Sequence, residues 1–189
     1  MKLSRGFVAV VPPDDVLDAI EARVAPLRAA HDELRWSGRA RWHVTLRFLG
    51  LVPDVDGLLA AVRDALASVP RIGALRLGGA GAFPNVRRAA VVWLGLCDGA
   101  DRLGEVAAAV ESASVVAGFA PESRPFSPHL TIARMPRARD VGPVLDALGR
   151  DPVGGAWRVD DVVLVASDTR TSGAVYSDVA RVPLARMGE

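Results

Sequence analysis

The sequence predicts an α+β protein with two similar lobes placed around a shared groove. Two observations support this prediction: strand-like and helix-like apolar spacings alternate along the chain, and a His-x-Thr motif occurs at His43 and again at His129. Each motif is preceded by a helix and followed by a helix and then a hairpin. This echo favours two mostly antiparallel sheets around a central cleft, with helices on the outer faces. At 189 residues, we predict a single bilobal domain over 1–189, with the motifs at 43–45 and 129–131.

Apolar spacing and turn residues define the elements of the first half. Short valine-rich or alternating runs predict strands, and apolar residues three or four positions apart predict helices that begin at aspartates. A glycine-rich connection separates the two strands of a long hairpin, and its glycines are typical of turns or bulges because no Gly-Lys-Ser/Thr follows them. The predicted elements are strand 7–11, helix 14–31, motif strand 41–49, a helix between Pro53 and Pro70, and hairpin strands 72–77 and 90–96.

The second half repeats this order with shorter elements. A helix with an apolar stripe ends near Gly118, and a proline-rich segment then leads into the second motif strand. A short helix ending at Gly149 precedes the last two strands. The predicted elements are helix 101–116, motif strand 128–135, helix 141–148, and strands 157–166 and 175–184.

Composition limits the classes of function. The net charge is only +1, which argues against nucleic-acid binding through a uniform positive field, although local patches remain possible. Cys97 is the only cysteine, so neither an intramolecular disulfide nor a cysteine-based metal cluster can form. The first apolar run stops at Pro12-Pro13, and no window approaches the roughly 20 apolar residues of a membrane span. We therefore predict a cytoplasmic monomer with no membrane association, no cofactor and no obligatory protein partner.

Side-chain alternation assigns the motif residues to faces. Successive residues of a strand point to opposite sides. The first motif strand should therefore have a polar face with His43, Thr45 and Arg47 and an apolar face with Val44, Leu46 and Phe48. In the second motif, His129 and Thr131 share a face, whereas Arg134 has the parity of Leu130. Arg134 would reach the polar face only if the strand bulges or ends before it.

Two imidazoles and two hydroxyls facing one cleft suit a phosphate. Histidine can accept or donate a proton near neutral pH, so one imidazole can activate an attacking oxygen while the other protonates the leaving oxygen. The threonines can donate hydrogen bonds to phosphate oxygens, and Arg47 can neutralise their charge unless it is a solvated charge at a strand edge. The third histidine, His31, is expected to be an ordinary histidine near a helix end. A metal site would require Asp168 or Asp178 as an additional ligand, and we predict none.

Three aromatic residues are candidates for stacking on a nucleobase. Phe83, Phe126 and Tyr176 fall in predicted loops or at strand ends, where a base could reach them. Packing in the core or at a hinge is the alternative for each. Trp42, which precedes the first histidine, is expected to pack in the core.

These residues resemble the two-histidine phosphoesterase superfamily, and within it the RNA 2′,3′-cyclic phosphodiesterases, also called 2′-5′ RNA ligases. The resemblance covers nearly the whole chain. It includes both motifs, the Gly81-Ala82-Phe83-Pro84-Asn85 segment before a Trp-Leu-Gly strand, and the final strand with Tyr176. One departure is that Arg39-Ala40-Arg41-Trp42 stands where relatives often have an asparagine-containing segment.

The resemblance implies a bilobal two-histidine phosphoesterase fold and metal-independent opening of an RNA 2′,3′-cyclic phosphate to a 2′-phosphate. It implies that His43 is the proton donor and His129 the proton acceptor, that Thr45 and Thr131 bind the phosphate, and that Arg134 assists them. The expected partners are RNA ends or nucleotides with a 2′,3′-cyclic phosphate. Two alternatives stay open: 2′-5′ RNA ligation in the same site, and a non-catalytic module that binds RNA ends.

Overall fold

The fold is α+β, as the sequence predicts. The computed structural model describes residues 1–170 and 173–186, and its helices are α1 (Asp14–Ala30), α2 (Val55–Leu66), α3 (Ala100–Val116) and α4 (Gly142–Leu148). Short 3₁₀ turns cover Arg39–Arg41 and Val86–Arg88. The strands are β1 (Leu3–Val10), β2 (Arg35–Trp36), β3 (Val44–Val52), β4 (Ile72–Phe83), β5 (Ala89–Asp98), β6 (Leu130–Arg139), β7 (Pro152–Val159), β8 (Asp161–Arg170) and β9 (Gly173–Pro183).

The strands form two antiparallel halves that meet at the motif strands. One half has the order β7-β4-β5-β6 and the other β3-β1-β8-β9, and the pair Val44–Leu130 joins β3 to β6. The two-residue strand β2 adds to β6 beside this junction. The structure thus places both motif strands at the centre of the molecule, where the two halves of the sheet meet.

The helices and the sheet enclose one large apolar core. Buried residues of the first three helices, such as Ile20, Leu58 and Val106, pack with sheet residues that include Leu75 and Leu130. A smaller cluster contains Phe7, Ala9, Val163 and Val165 and includes the partly buried Tyr176. Burial of these apolar surfaces is the main stabilising contribution to such a fold.

The aspartate signals for helix starts are confirmed. The side chain of Asp54 caps α2 by accepting hydrogen bonds from the backbone N–H groups of Asp56 and Gly57, each at 3.2 Å. Asp14 and Asp15 lie in the first turn of α1, where their charges favour the positive end of the helix dipole. Within the two described ranges, no helix combines the length and the apolar character that crossing a membrane would require.

Two predicted segments are wrong. The strand expected over 157–166 is two strands that belong to opposite halves, because β7 pairs with β4 whereas β8 pairs with β1. The chain crosses between the halves at Asp160, whose carboxylate lies 2.8 Å from Arg158 and 3.2 Å from Arg71.

The glycine-rich connection expected after residue 77 is part of β4. A register shift between Leu77 and Ala80 does confirm the predicted bulge there.

Candidate active site

The pairing of Val44 with Leu130 places the two His-x-Thr motifs side by side. Both residues are fully buried, so their side chains face the core. Side chains on either side of this pair therefore point to the opposite face, which is the cleft. Because the strands are antiparallel, the register of this pair puts His43 across from Thr131 and His129 across from Thr45. All four side chains line one cleft of about 980 Å³.

A bulge follows the threonine in both motif strands. On β3, Thr45 pairs with Ala9 and Arg47 pairs with Val8, which leaves Leu46 without a partner on β1. On β6, Thr131 pairs with Trp93 and Ala133 pairs with Val92, the neighbouring residue of β5. Ile132 is therefore left without a partner on β5. An extra residue reverses the alternation of side chains beyond it. The residues five positions after each histidine, Phe48 and Arg134, therefore line the cleft.

His43 lies against two aromatic rings. Its imidazole stacks on Phe7 with ring centroids 4.6 Å apart, and the edge contact with Tyr176 is at 5.4 Å. Burial lowers the pKa of His43 to about 4, and the positive charges of Arg134 and His129 add to the decrease, while a backbone hydrogen bond of Arg41 opposes it. His43 is thus neutral at pH 7 when the cleft is empty.

His129 has a matching environment in the other half. Its ring makes an edge contact with Phe83 at 5.0 Å and lies 6.1 Å from Trp93. Its Nδ1 is 2.8 Å from the carbonyl oxygen of Ser127. In the neutral imidazole this bond requires a proton on Nδ1, which leaves Nε2 as the acceptor nitrogen.

Arg47 does not reach the cleft, so the prediction that it shares a face with His43 and Thr45 is wrong. The bulge at Leu46 turns its side chain to the helical side, where it is only 7% exposed. Its Nε is 2.7 Å from Glu111, its Nη1 is 2.6 Å from Glu122, and its Nη2 donates to the carbonyl oxygen of Ala120 at 2.5 Å. Arg47 therefore ties β3 to α3 and to the segment that leads to the second motif.

Arg134 lies in the cleft, and the condition stated for it from the sequence is met. The bulge at Ile132 gives it the same face as Thr131, and its side chain is exposed. Among the described residues, no carboxylate lies within ion-pair distance of Arg134. Its charge is therefore available to an anion in the cleft.

The aromatic candidates separate into two groups. Phe83 and Tyr176 line the cleft, and each also supports a histidine through an edge contact. Phe126 is partly buried against the main core and does not line the cleft, so the structure does not support its stacking role. Trp42 is 2% exposed and packs in the core as expected. Phe48 is the aromatic residue that alternation assigned to the core, yet it lines the cleft and is 60% exposed.

The segment before the first motif contributes cleft residues that the sequence interpretation missed. Residues Arg35, Trp36, Ser37 and Arg41 line the cleft. The sequence does contain one signal for an anion-binding segment, because three of the seven residues from 35 to 41 are arginines. The segment has no strand or helix periodicity, so the sequence alone gives these side chains no direction.

The metal alternative gains no support from the arrangement of its residues. Asp178 pairs with Arg181 at 2.8 Å. In the part of the chain that the structure describes, no group of three or more histidine, cysteine, aspartate or glutamate side chains is arranged to hold a metal ion. The third histidine, His31, lies 3.8 Å from Glu33 and outside the cleft lining.

Comparison with known proteins identifies relatives over most of the chain. A sequence model of the 2′-5′ RNA ligase superfamily matches residues 16–171. The RNA 2′,3′-cyclic phosphodiesterase of Aeropyrum pernix is 33% identical over 175 residues, which cover 90% of this chain and 94% of that protein. The enzyme of the same name from Methanothermobacter thermautotrophicus is 28% identical, with coverage of 93% and 96%.

Solved structures show the same fold. The Thermus thermophilus protein TT0787 matches with a TM-score of 0.74 and 27% identity, over 95% of this chain and 97% of that one. Escherichia coli LigT in complex with 3′-AMP matches with a TM-score of 0.72 and 25% identity, over 96% and 98%.

Proposed function

The chain belongs to the 2′-5′ RNA ligase superfamily, and we propose from this premise that it is an RNA 2′,3′-cyclic phosphodiesterase that produces a 2′-phosphate without a metal ion. The observation that carries the proposal is the cleft in which two His-Thr pairs face each other across the Val44–Leu130 junction. The relatives from Aeropyrum pernix and Methanothermobacter thermautotrophicus bear this activity in their names. The nucleotide bound to LigT gives independent support for a nucleotide as ligand.

Hydrolysis of the cyclic ester requires two proton transfers. We assign His129 as the base: its Nε2 accepts a proton from water, the water oxygen bonds to phosphorus, and the bond from phosphorus to the 3′-oxygen breaks. His43 gives its proton to that oxygen. The hydrogen bond between His129 Nδ1 and the Ser127 carbonyl supports this role, because it leaves Nε2 unprotonated in the neutral ring.

The proposed donor must be protonated, whereas His43 is neutral at pH 7 in the empty cleft. The negative charge of a bound phosphate can favour the protonated form of His43. Burial is the main cause of the low pKa of His43, and the positive charges of Arg134 and His129 add to it. Negative phosphate oxygens between the imidazoles offset those charges and favour the protonated ring. Substrate binding thereby raises this pKa and prepares the donor in the complex.

Thr45, Thr131 and Arg134 are the proposed phosphate ligands. Each threonine lies on the cleft face beside the histidine of the opposite strand, so its hydroxyl can donate to a non-bridging oxygen. Arg134 can neutralise the charge that accumulates on those oxygens as water adds to phosphorus. For the nucleobase, Phe48 joins Phe83 and Tyr176 as a stacking residue and Phe126 is left out, because Phe48 presents an exposed ring to the cleft and Phe126 does not line it.

The decisive experiment is product analysis with an RNA oligonucleotide that ends in a 2′,3′-cyclic phosphate, incubated with excess EDTA. The expected product is a 2′-phosphate. A 3′-phosphate would contradict the assignment of the leaving oxygen, and loss of turnover in EDTA would contradict metal independence. A joined strand formed with a 5′-hydroxyl RNA would indicate ligation, and binding without any product would indicate a non-catalytic module.

A further inference from the structure

The segment that connects α1 to the first motif places two arginines in the cleft beside the histidine pair. Arg35 and Arg41 both line the cleft and are exposed. Among the described residues, neither has a carboxylate within ion-pair distance. Arg39, which lies between them, differs because it pairs with Asp14 at 2.7 Å and with Asp18 at 2.5 Å. The charge of Arg39 is thus balanced by carboxylates of α1, whereas Arg35 and Arg41 have no such partner among the described residues.

Arg35 is held in place by the sheet. It pairs with Arg134 across β2 and β6, and the next pair is Trp36 with Ala133. The backbone N–H of Ser37 donates to the Ile132 carbonyl oxygen at 2.8 Å, which extends this attachment by one residue. Strand β2 has only two residues, and the side chain of the first, Arg35, lines the cleft.

The pairing of Arg35 with Arg134 is unfavourable in the empty protein. Directly opposed residues of an antiparallel pair have neighbouring side chains, and like charges at such positions repel each other. Among the described residues that line the cleft, none is an aspartate or glutamate that could offset this repulsion. A multiply charged anion would offset it, because a cyclic phosphate alone carries one negative charge against the guanidinium groups of Arg35, Arg41 and Arg134.

We propose that Arg35 and Arg41 form a second anion subsite, which binds the phosphodiester that precedes the cyclic end of an RNA strand. This inference rests on the proposed function and specifies its substrate: the site prefers a strand of at least two nucleotides over a free cyclic nucleotide. Arginine suits this role because its planar guanidinium can donate two hydrogen bonds to one phosphate. Such a contact selects the strand without reading its sequence.

The test compares three substrates: a cyclic mononucleotide, a dinucleotide with the same cyclic end, and the same dinucleotide with an uncharged methylphosphonate linkage. For the wild-type protein, we expect kcat/KM to be about ten-fold higher for the charged dinucleotide than for the mononucleotide. A factor of this size corresponds to one charge-assisted hydrogen bond. The methylphosphonate should behave like the mononucleotide. Arg35→Ala and Arg41→Ala should each lower kcat/KM for the charged dinucleotide by about three- to ten-fold and change the other two values less than two-fold.

The matched control is Arg63→Ala, which removes an exposed arginine of α2 that lies outside the cleft lining. It should leave all three values unchanged. For binding of a longer single-stranded RNA, Arg35→Ala should also reduce the slope of log Kd against log salt by about 0.7, whereas Arg63→Ala should not. Thermal unfolding of each variant shows whether the folded state is intact.

The outcomes separate this inference from the proposed function. Equal losses on the mononucleotide and the dinucleotide would show that Arg35 and Arg41 act on the reacting phosphate, and no loss on either would show that they bind nothing; both results overturn the subsite. If the wild-type protein hydrolyses none of the substrates, the proposed function fails. The subsite is then judged by binding, and it is overturned if a dinucleotide with a 2′-phosphate binds no tighter than 2′-AMP.

Discussion

Phe48 and Arg134 occupy equivalent positions in the two halves of the cleft. Each lies five residues after a histidine, and each is turned into the cleft by a bulge after the threonine. Their chemistry differs, since one is an exposed aromatic ring and the other an exposed guanidinium. The two motifs are therefore similar in backbone and different in side-chain chemistry: the ring of Phe48 suits a base, and the guanidinium of Arg134 suits a phosphate.

Phe48→Ala tests the aromatic side. We expect KM for cyclic nucleotides to rise about ten-fold, because stacking of a base on an aromatic side chain contributes about 1–3 kcal/mol, and Phe48→Trp should restore it. The measurement is steady-state kinetics with a cyclic nucleotide and with a base-free methyl riboside 2′,3′-cyclic phosphate, on which the variant should match the wild type. Leu51→Ala is the control, because Leu51 is also exposed on β3 but does not line the cleft. Equal losses on both substrates would contradict a role in stacking.

The proton roles can be separated by the leaving atom. His43→Ala and His129→Ala should each lower kcat by about 10² or more on the normal substrate, while His31→Ala should retain full activity. A substrate with sulfur in place of the bridging 3′-oxygen has a leaving group that needs no proton. We expect it to restore turnover in His43→Ala and not in His129→Ala. The reverse pattern of rescue would exchange the two roles.

The low pKa of His43 makes the free energy of unfolding depend on pH. The imidazole stays neutral in the folded protein down to about pH 4, whereas in the unfolded chain it is protonated below about pH 6.5. The unfolded state therefore binds more protons between these values, so the free energy of unfolding increases with pH across this window, by up to about 3 kcal/mol. Denaturant unfolding at several pH values should show this increase, and the difference between wild type and His43→Ala isolates it from titrating carboxylates.

The same group should respond to the ligand. An NMR titration of the His43 ring should give a pKa near 4 without ligand and a higher value with inorganic phosphate, because the anion favours the protonated ring. Arg134→Ala should also raise the value in the free protein, since it removes one of the positive charges that lower it. A pKa of His43 that phosphate leaves unchanged would contradict the proposal that substrate binding protonates this ring.

The sequence was sufficient for the fold class and for the residues that alternate regularly. Alternation correctly predicts that His43, Thr45, His129 and Thr131 face the cleft, because no bulge lies between each histidine and its threonine. Alternation failed immediately beyond the threonines. Alternation predicts Arg47 in the cleft and Phe48 in the core, whereas the structure has the reverse, because one extra residue changes the face of every later side chain.

The cleft residues between Arg35 and Arg41 could not be predicted from the sequence for a different reason. Arg35 faces the site because a two-residue strand adds to β6, which lies about a hundred residues later in the chain. Two residues are too few to show any periodicity. The crossing at Asp160 was missed similarly, because the apolar pattern runs through the break and only long-range pairing assigns β7 and β8 to different halves.

Arg47 remains important although it does not face the cleft. It connects β3 to Glu111 of α3 and to Glu122, and the backbone N–H of Glu122 also donates to Glu111 Oε1 at 2.7 Å. This network fixes the segment that leads from α3 to His129 against the strand that carries Thr45. Among the described residues, Arg47 is the cation within ion-pair distance of the two carboxylates, so Arg47→Ala would leave both unpaired and open space in a buried region. We expect a loss of about 2 kcal/mol in the free energy of unfolding, tempered by the partial exposure of both glutamates.

The same variant should also lower kcat, because the second histidine loses part of its support, while KM for the cyclic nucleotide should change little. Arg102→Ala provides the matched control, since Arg102 pairs with Glu105 on the exposed surface of α3. Such surface pairs contribute at most about 0.5 kcal/mol, so this control should have nearly wild-type stability and activity. Denaturant unfolding and single-turnover kinetics on both variants give the two readouts. If Arg47→Ala is less stable but has an unchanged chemical step, the network serves the fold alone, and the alignment of His129 depends on its contacts with Phe83 and the Ser127 carbonyl.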